Sequence, residues 1–167
     1  TKKLGGISGN YARNESVGFV SDDAPEATTQ FRFTYLDSGY YRIELVYSNM
    51  VLDNTDASTT NGIRLQTYVY NASNAQKWKL VSAGAGSYFI RSALGMELDA
   101  TTKSDNGITL WQSVDVDWHK WVLDRVDSDA DNLTLYAVWD TNDRPNIKPI
   151  PDPDNPDNPS AGKDELT

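Results

Sequence analysis

Apolar and polar positions alternate in twos along much of this chain. Ile63, Leu65 and Thr67 alternate with Arg64, Gln66 and Tyr68, and Trp78 and Leu80 alternate with Lys77 and Lys79. A period of two places successive side chains on opposite faces of a strand. Asn-Gly pairs at Asn61-Gly62 and Asn106-Gly107 supply turn chemistry between such runs. No segment sustains a helical period. The pattern predicts short antiparallel strands and an all-β fold.

The same grammar recurs at long range. Tyr41-Arg-Ile43 leads to Leu52-Asp53, then to Asn61-Gly62-Ile63-Arg-Leu65, then to Gln76-Lys-Trp78-Lys-Leu80. Later, Phe89-Ile-Arg91 leads to Leu98-Asp99, Asn106-Gly107-Ile108-Thr-Leu110 and His119-Lys-Trp121-Val-Leu123. The two tryptophans are 43 residues apart. A weaker copy precedes them, with Ile7-Ser8 aligned to Leu52-Asp53, Val17-Gly-Phe19 to Ile63-Arg-Leu65, and Thr29-Gln-Phe31-Arg-Phe33 to Gln76-Lys-Trp78-Lys-Leu80. Repeats of this length are single supersecondary units that bury their apolar faces only against one another.

The first copy lacks its opening strand. Residues 133–139, Leu-Thr-Leu-Tyr-Ala-Val-Trp, follow the third copy, belong to none, and are apolar and β-prone after the Asp131-Asn132 turn signal. We read them as the absent strand, closing a barrel from the C-terminal side and covering an edge that would otherwise invite aggregation. The alternative is a strand upstream of Thr1, with residues 133–139 strapped across the surface.

Three repeats of about 45 residues, each with an apolar-Asp or related pair, an Asn-Gly strand and a Gln-x-Trp, resemble the ricin-B-type β-trefoil lectins. Gln76-Lys77-Trp78 is the intact Gln-x-Trp, and Thr29-Gln-Phe31 and His119-Lys-Trp121 are degraded forms. The resemblance covers roughly residues 4–126 and implies a β-trefoil of about twelve strands. It also implies that Phe31, Trp78 and Trp121 pack around a pseudo-threefold axis against Phe33, Leu80 and Leu123, as structural residues.

The resemblance implies carbohydrate binding, with terminal galactose or N-acetylgalactosamine as the expected ligand. A sugar needs a flat apolar surface for the C–H face of its ring and carboxylate or amide groups for its hydroxyls. In the second repeat that set is Asp53, Gln66, Tyr68, Asn74 and Gln76, with Gln66 and Tyr68 on the outward phase of their strand. Where the family has asparagine directly before the glutamine, this chain has Ala75, with Asn74 one residue earlier. The third repeat offers Asp99, Asn106, Trp111 and Asp117, the last in the amide's role, with His119 in place of the glutamine. Its register is open: counted from Asn106-Gly107, Trp111 aligns with Gln66, and counted back from Trp121 it aligns with Tyr68. The first repeat has Ser8 for the aspartate and no aromatic on its outward third-strand positions, so no sugar site is expected there.

Composition removes other classes. With 24 acidic and 15 basic residues the net charge is -9, which disfavours general nucleic-acid binding. There is no cysteine and one histidine, His119, so disulfide scaffolds, thiolate metal sites and His-rich metal sites are excluded. No metal or other cofactor is expected, and no apolar run is long enough to span a bilayer. Asp115, Asp117 and Asp124 cluster near Trp118 and His119, yet no nucleophile–base arrangement accompanies them, and the chain is not expected to be an enzyme. A trefoil that binds protein rather than sugar remains the alternative function, because fold alone does not decide it.

Six of the seven prolines lie from Pro145 onward, and residues 140–167 carry seven acidic and three basic groups. Proline cannot donate to a ladder, so this stretch is expected to be an extended spacer. The expected organisation is a trefoil over residues 1–139, with repeats at about 1–37, 38–83 and 84–128, a closing strand at 133–139, and a linker at 140–167. A cysteine-free glycan-binding module with a Pro/Asp spacer is expected to belong to a larger extracellular polypeptide, secreted or wall-associated, of a bacterium.

Overall fold

The computed structural model describes residues 3–6, 15–20, 23–25, 28–100, 107–125 and 132–137. Among them are twelve strands and no α-helix: β1 (Lys3–Gly6), β2 (Val17–Val20), β3 (Gln30–Asp37), β4 (Tyr40–Leu45), β5 (Val51–Asn54), β6 (Ile63–Tyr68), β7 (Trp78–Gly84), β8 (Ser87–Ser92), β9 (Met96–Asp99), β10 (Thr109–Gln112), β11 (Lys120–Arg125) and β12 (Asn132–Ala137). None of the described helical turns is long or apolar enough to cross a membrane. The Pro/Asp-rich linker, Ile7, Ser8, Asn106 and residues 138–139 lie outside the described residues.

Six strands close on themselves. β3 pairs with β4, β4 with β7, β7 with β8, β8 with β11, β11 with β12, and β12 returns to β3. The other six form three hairpins, β1–β2, β5–β6 and β9–β10. Each hangs from a barrel strand through β12–β1, β4–β5 or β8–β9. The hairpins meet one another through β6–β10 and the bridges Ser16–Gln66 and Gly18–Gly107. This barrel with a hairpin-triplet cap is a β-trefoil. The C-terminal segment supplies its missing strand: Leu133 lies opposite Phe31, as Tyr41 lies opposite Trp78 and Tyr88 opposite Trp121.

The core follows the repeat. Phe31, Trp78 and Trp121 are fully buried, Leu123 is buried with them, and Phe33 and Leu80 pack at its margin. A buried indole must place its N–H. Trp78 Nε1 donates to Leu52 O at 3.1 Å, and Trp121 Nε1 donates to Leu98 O at 3.3 Å. The matching bonds show that the apolar-Asp strand is tied to the Gln-x-Trp strand in both repeats. Phe31 has no such donor.

Two alignments shift when strands replace spacing. Asp53 faces Gln66 and Asn54 faces Leu65, while Gly5 faces Gly18 and Gly6 faces Val17. Leu65 N donates to Ile108 O and Ile108 N to Val17 O, so Val17, Leu65 and Ile108 are threefold equivalents. The first-repeat counterpart of Leu52-Asp53 is therefore Leu4-Gly5, not Ile7-Ser8. Likewise Tyr41-Arg-Ile43 corresponds to Tyr88-Phe-Ile90, one residue before the segment chosen from spacing. Turn lengths differ among the copies, and only the ladder fixes which residues face each other.

Gly5 stands where the other repeats carry an aspartate, and there is no room for a side chain. A Cβ there would lie 2.8 Å from Thr28 O and 3.1 Å from a Val20 methyl. Gly5→Ala is expected to destabilise the domain by about 1–3 kcal/mol through overpacking against backbone. An unchanged denaturation midpoint would show that this contact relaxes freely.

Candidate functional site

The second repeat contains a cleft of about 580 Å³ beside β5 and β6. Arg64, Gln66 and Tyr68 all reach it, since they share one phase of β6. The β5–β6 register sets Asp53 opposite Gln66, and Gln66 Nε2 donates to Asp53 Oδ1 at 2.9 Å. Gln76 arrives from the one-turn helix Asn74–Gln76 and donates to Asp53 Oδ2 and to Val69 O, both at 3.0 Å. Its Oε1 accepts the Asn71 N–H at 2.8 Å. One carboxylate is thus held by two amides. Its oxygens keep remaining acceptor capacity, because each can accept more than one hydrogen bond.

This differs from the sequence expectation. Asp53 and Gln66 line the cleft but are each only 6% exposed, and Gln76 is fully buried. At Gln66 the outward phase of the hairpin faces the turn that carries the Gln-x-Trp, while Arg64 on the same phase stays exposed. That turn covers the carboxylate, and the buried Gln76 amide holds Asp53 in place. Tyr68 is half-buried and forms part of the cleft wall.

Asn74 is exposed and does not line the cleft. Asn71 and Ser73 do, together with Ala75. Asn71 Oδ1 accepts the Ser73 N–H at 3.0 Å, an Asx turn that folds the segment toward the site. Ala72 in that turn has φ 61°. The run Asn71-Ala-Ser-Asn74 before Gln76 carries this turn signal in the sequence. Asn54 and Asp56 are further lining residues that spacing missed. Arg64 was legible from its phase with Gln66 and Tyr68.

In the third repeat, Asp99 faces Thr109 and Glu97 faces Trp111. In the second, Val51 faces Tyr68. Trp111 is therefore the equivalent of Tyr68, which decides between the two counts. It is 39% exposed, and its Nε1 donates to Thr109 Oγ1 at 3.2 Å. Asp99 is buried, as Asp53 is.

His119, also buried, replaces Gln76 with a different electrostatic solution. Its Nε2 lies 2.9 Å from Asp99 Oδ2 and its Nδ1 3.0 Å from Glu97 Oε2. Burial opposes the charge on His119, but hydrogen bonds to Asp99 and Glu97, and their negative charges, outweigh it and push its pKa up to about 9. The ring is an imidazolium at neutral pH, donating from both nitrogens. Burial also opposes ionisation of Glu97, yet hydrogen bonds to His119, Arg91 and Ser113 and the Arg91 charge hold it below the ordinary carboxylate range. Arg91 grips Glu97 Oε1 through Nη2 at 2.7 Å and Nε at 2.9 Å.

Asp117 does not take an amide's place beside Asp99. It is exposed in the turn Asp117–His119 and pairs with Lys120 at 3.2 Å, with Asp115 on the same ammonium at 3.0 Å. It occupies the position of Asn74, two residues before the Gln76 equivalent, and like Asn74 it is exposed. In the first repeat, Gly5, Gly18 and Val20 stand where Asp53, Gln66 and Tyr68 stand, leaving neither carboxylate nor ring. Among the described residues no group of three or more His, Asp or Glu is placed to hold a metal ion.

A sequence model described as "Ricin-type beta-trefoil lectin domain-like" matches residues 27–112, more than half of the chain. The chain belongs to this family. The ricin-type trefoil also resembles solved structures. The designed threefold-symmetric protein ThreeFoil shares 26% identity at a TM-score of 0.67, over 72% of this chain and 89% of ThreeFoil. The exo-beta-1,3-galactanase 1,3Gal43A from Clostridium thermocellum shares 24% at 0.66, over 73% of this chain but 29% of the galactanase. The Polyporus squamosus lectin, solved with the epitope Neu5Aca2-6Galb1-4GlcNAc, shares 14% at 0.59, over 80% of this chain and 44% of the lectin. No curated protein sequence matches the chain. A ricin-B-like trefoil with lectins among its structural neighbours suggests carbohydrate binding.

Proposed function

We propose that this domain is a glycan-binding module whose working site is the second-repeat cleft, and that it takes a terminal galactose or N-acetylgalactosamine. The observation that carries this reading is the Tyr68 ring in the wall of an open cleft whose floor includes a carboxylate held by two amides. The ring offers a C–H stacking surface, and Asp53 offers acceptor lone pairs for vicinal hydroxyls. The galactose preference rests on the family resemblance. It is in keeping with the galactanase and with the galactose-containing epitope named for the Polyporus lectin. The rival, a protein-docking trefoil, would have its rings packed away; Trp111 is instead exposed and Tyr68 borders the cleft.

The module works by binding rather than catalysis. Asp115 and Asp117 share Lys120, and Glu97 and Asp99 are committed to His119. We place it in a larger extracellular bacterial polypeptide, secreted or wall-associated, on the strength of its cysteine-free composition and its Pro/Asp-rich C-terminal stretch. One ring and a shallow cleft give a weak monovalent site, with Kd of about 0.1–1 mM, or about -4 to -5.5 kcal/mol. Avidity would come from a second site or repeated copies. Calorimetric titration with galactose and N-acetylgalactosamine should give saturable binding in that range. Absence of saturation by either sugar at tens of times that concentration overturns the reading.

A further inference from the structure

One wall of the second-repeat cleft has a counterpart in the third repeat, and its chemistry is different. From Tyr68 to Gln76 and from Trp111 to His119 the chain advances by the same eight residues. Each segment ends in a one-turn helix, Asn74–Gln76 or Asp117–His119. Matching bonds close the two turns, Gln76 N–H to Ser73 O and His119 N–H to Val116 O, both at 3.1 Å. The cleft-lining residues Tyr68, Asn71, Ser73 and Ala75 therefore correspond to Trp111, Val114, Val116 and Trp118. Two valines replace an amide and a hydroxyl, and an indole replaces a methyl.

This wall is apolar where its counterpart carries hydrogen-bonding groups. Trp111, Val114 and Trp118 are exposed, at 39%, 50% and 44%. Large apolar residues gathered on a surface in this way mark an interaction site. Asp115 and Asp117 lie in the same segment, mostly exposed, with the Lys120 ammonium 3.0 Å from one and 3.2 Å from the other. Two carboxylates against one ammonium leave the rim negative, which calls for an apolar partner with basic groups.

The chain carries such a segment. Arg144-Pro-Asn-Ile-Lys-Pro-Ile-Pro151, outside the described residues, has two cations, two isoleucines, three prolines and no carboxylate. Proline-rich segments favour the polyproline helix and dock on aromatic surfaces at low entropic cost. With three residues per turn of that helix, Ile147 and Ile150 fall on one edge. The segment also starts close by. β12 ends at Ala137, which lies opposite Trp121, three residues along the chain from Trp118. Arg144 follows Ala137 by seven residues, a reach of up to about 25 Å in extended chain.

We propose that residues 144–151 dock as a strap on the face of Trp111, Val114 and Trp118 in the same molecule, with Ile147 and Ile150 against the indoles and Arg144 and Lys148 toward Asp115 and Asp117. The inference is independent of the glycan reading, since it concerns the third repeat and needs no sugar. Residues 152–157 carry three aspartates and no cation, so the negative rim repels them and the strap stops near Pro151. A second copy of the chain is the weaker occupant: two molecules of net charge -9 repel each other, whereas the strap is tethered beside its face.

Nuclear magnetic resonance on the full chain tests the strap. In the wild type, the Ile147 and Ile150 side chains should give Overhauser contacts to the Trp111 and Trp118 indoles, and their amides should be as ordered as strand amides. Trp118→Ala, which installs the second repeat's own residue, should abolish the contacts. Ile147→Ser with Ile150→Ser should do the same from outside the twelve strands, where folding is not at stake. Arg144→Glu with Lys148→Glu should release the strap as well. Disordered Ile147 and Ile150 amides in the wild type, or indole signals unmoved by the isoleucine substitutions, overturn the proposal. So do contacts found only between differently labelled molecules in a mixed sample, which would assign the face to a second copy.

Discussion

His119→Ala is expected to destabilise the domain by about 3–5 kcal/mol at neutral pH, because it strands buried carboxylates that the imidazolium now neutralises. Glu97 and Asp99 both contact that ring, and both are almost fully buried. The second repeat shows what else the same position can accept. There Gln76 holds the aspartate, and Val51 stands where Glu97 stands. The double substitution Glu97→Val with His119→Gln copies that solution into the third repeat. It should cost much less than the sum of its parts, with a coupling of about 2 kcal/mol or more. Arg91, released from Glu97, has a side chain about one-third exposed and can return to water. Denaturant unfolding of wild type, both single variants and the double variant reads the coupling directly. Strict additivity would mean that the four charged groups do not act as a unit.

The same network sets a pH window. The folded pKa of His119, about 9, lies above its ordinary 6.5, so folding takes up a proton. Its contribution is complete below about pH 6.5 and is lost as pH rises through about 9, a change on the order of 3 kcal/mol. Glu97 moves the other way. Its folded pKa lies below 4.5, so its contribution is present above that value and lost as pH falls through the folded pKa. Wild-type stability should therefore decline between about pH 6.5 and 9.5. The Glu97→Val/His119→Gln variant should lack that decline. Parallel pH profiles for the two proteins would remove the network as the cause.

Tyr68→Ala is expected to lower galactoside affinity by about tenfold or more with little loss of stability, since the ring is only half-buried and is the stacking face of the proposed site. Asp53→Ala should behave differently, abolishing binding and also costing about 1–3 kcal/mol of stability. Its carboxylate accepts from both Gln66 and Gln76, and removing it leaves two buried amides short of an acceptor. The contrast separates a proposed ligand contact from one that is also a structural hub. Titration and thermal unfolding of both variants provide the readout. Tyr68→Ala binding galactose as the wild type does would move the site elsewhere, with Trp111 in the third repeat as the next ring to replace.

By itself, the sequence determined the fold and its symmetry. Period-two alternation, repeated Asn-Gly turns and the aromatics Phe31, Trp78 and Trp121 specify three equivalent units, because each pattern is local and each unit needs the others to bury its face. The displaced strand at β12 was legible as an apolar segment belonging to no copy. The exposed Trp111 and the part-exposed Tyr68 were legible as well, since strand phase alone turns them from the core. The tertiary structure decided what spacing could not. Gln76 and Asp53 are 23 residues apart, and only the packing of a turn over the β5–β6 hairpin makes that pair buried rather than outward. The equivalences of Leu4-Gly5 and of Trp111 depended on ladder register, which turns of unequal length conceal. His119 reads in sequence as a damaged glutamine. Its meaning as a buried cation between Glu97 and Asp99 comes from β9, which carries both carboxylates on one face, and from the turn Asp117–His119, which lays one ring across them where burial makes the pairing of charges decisive.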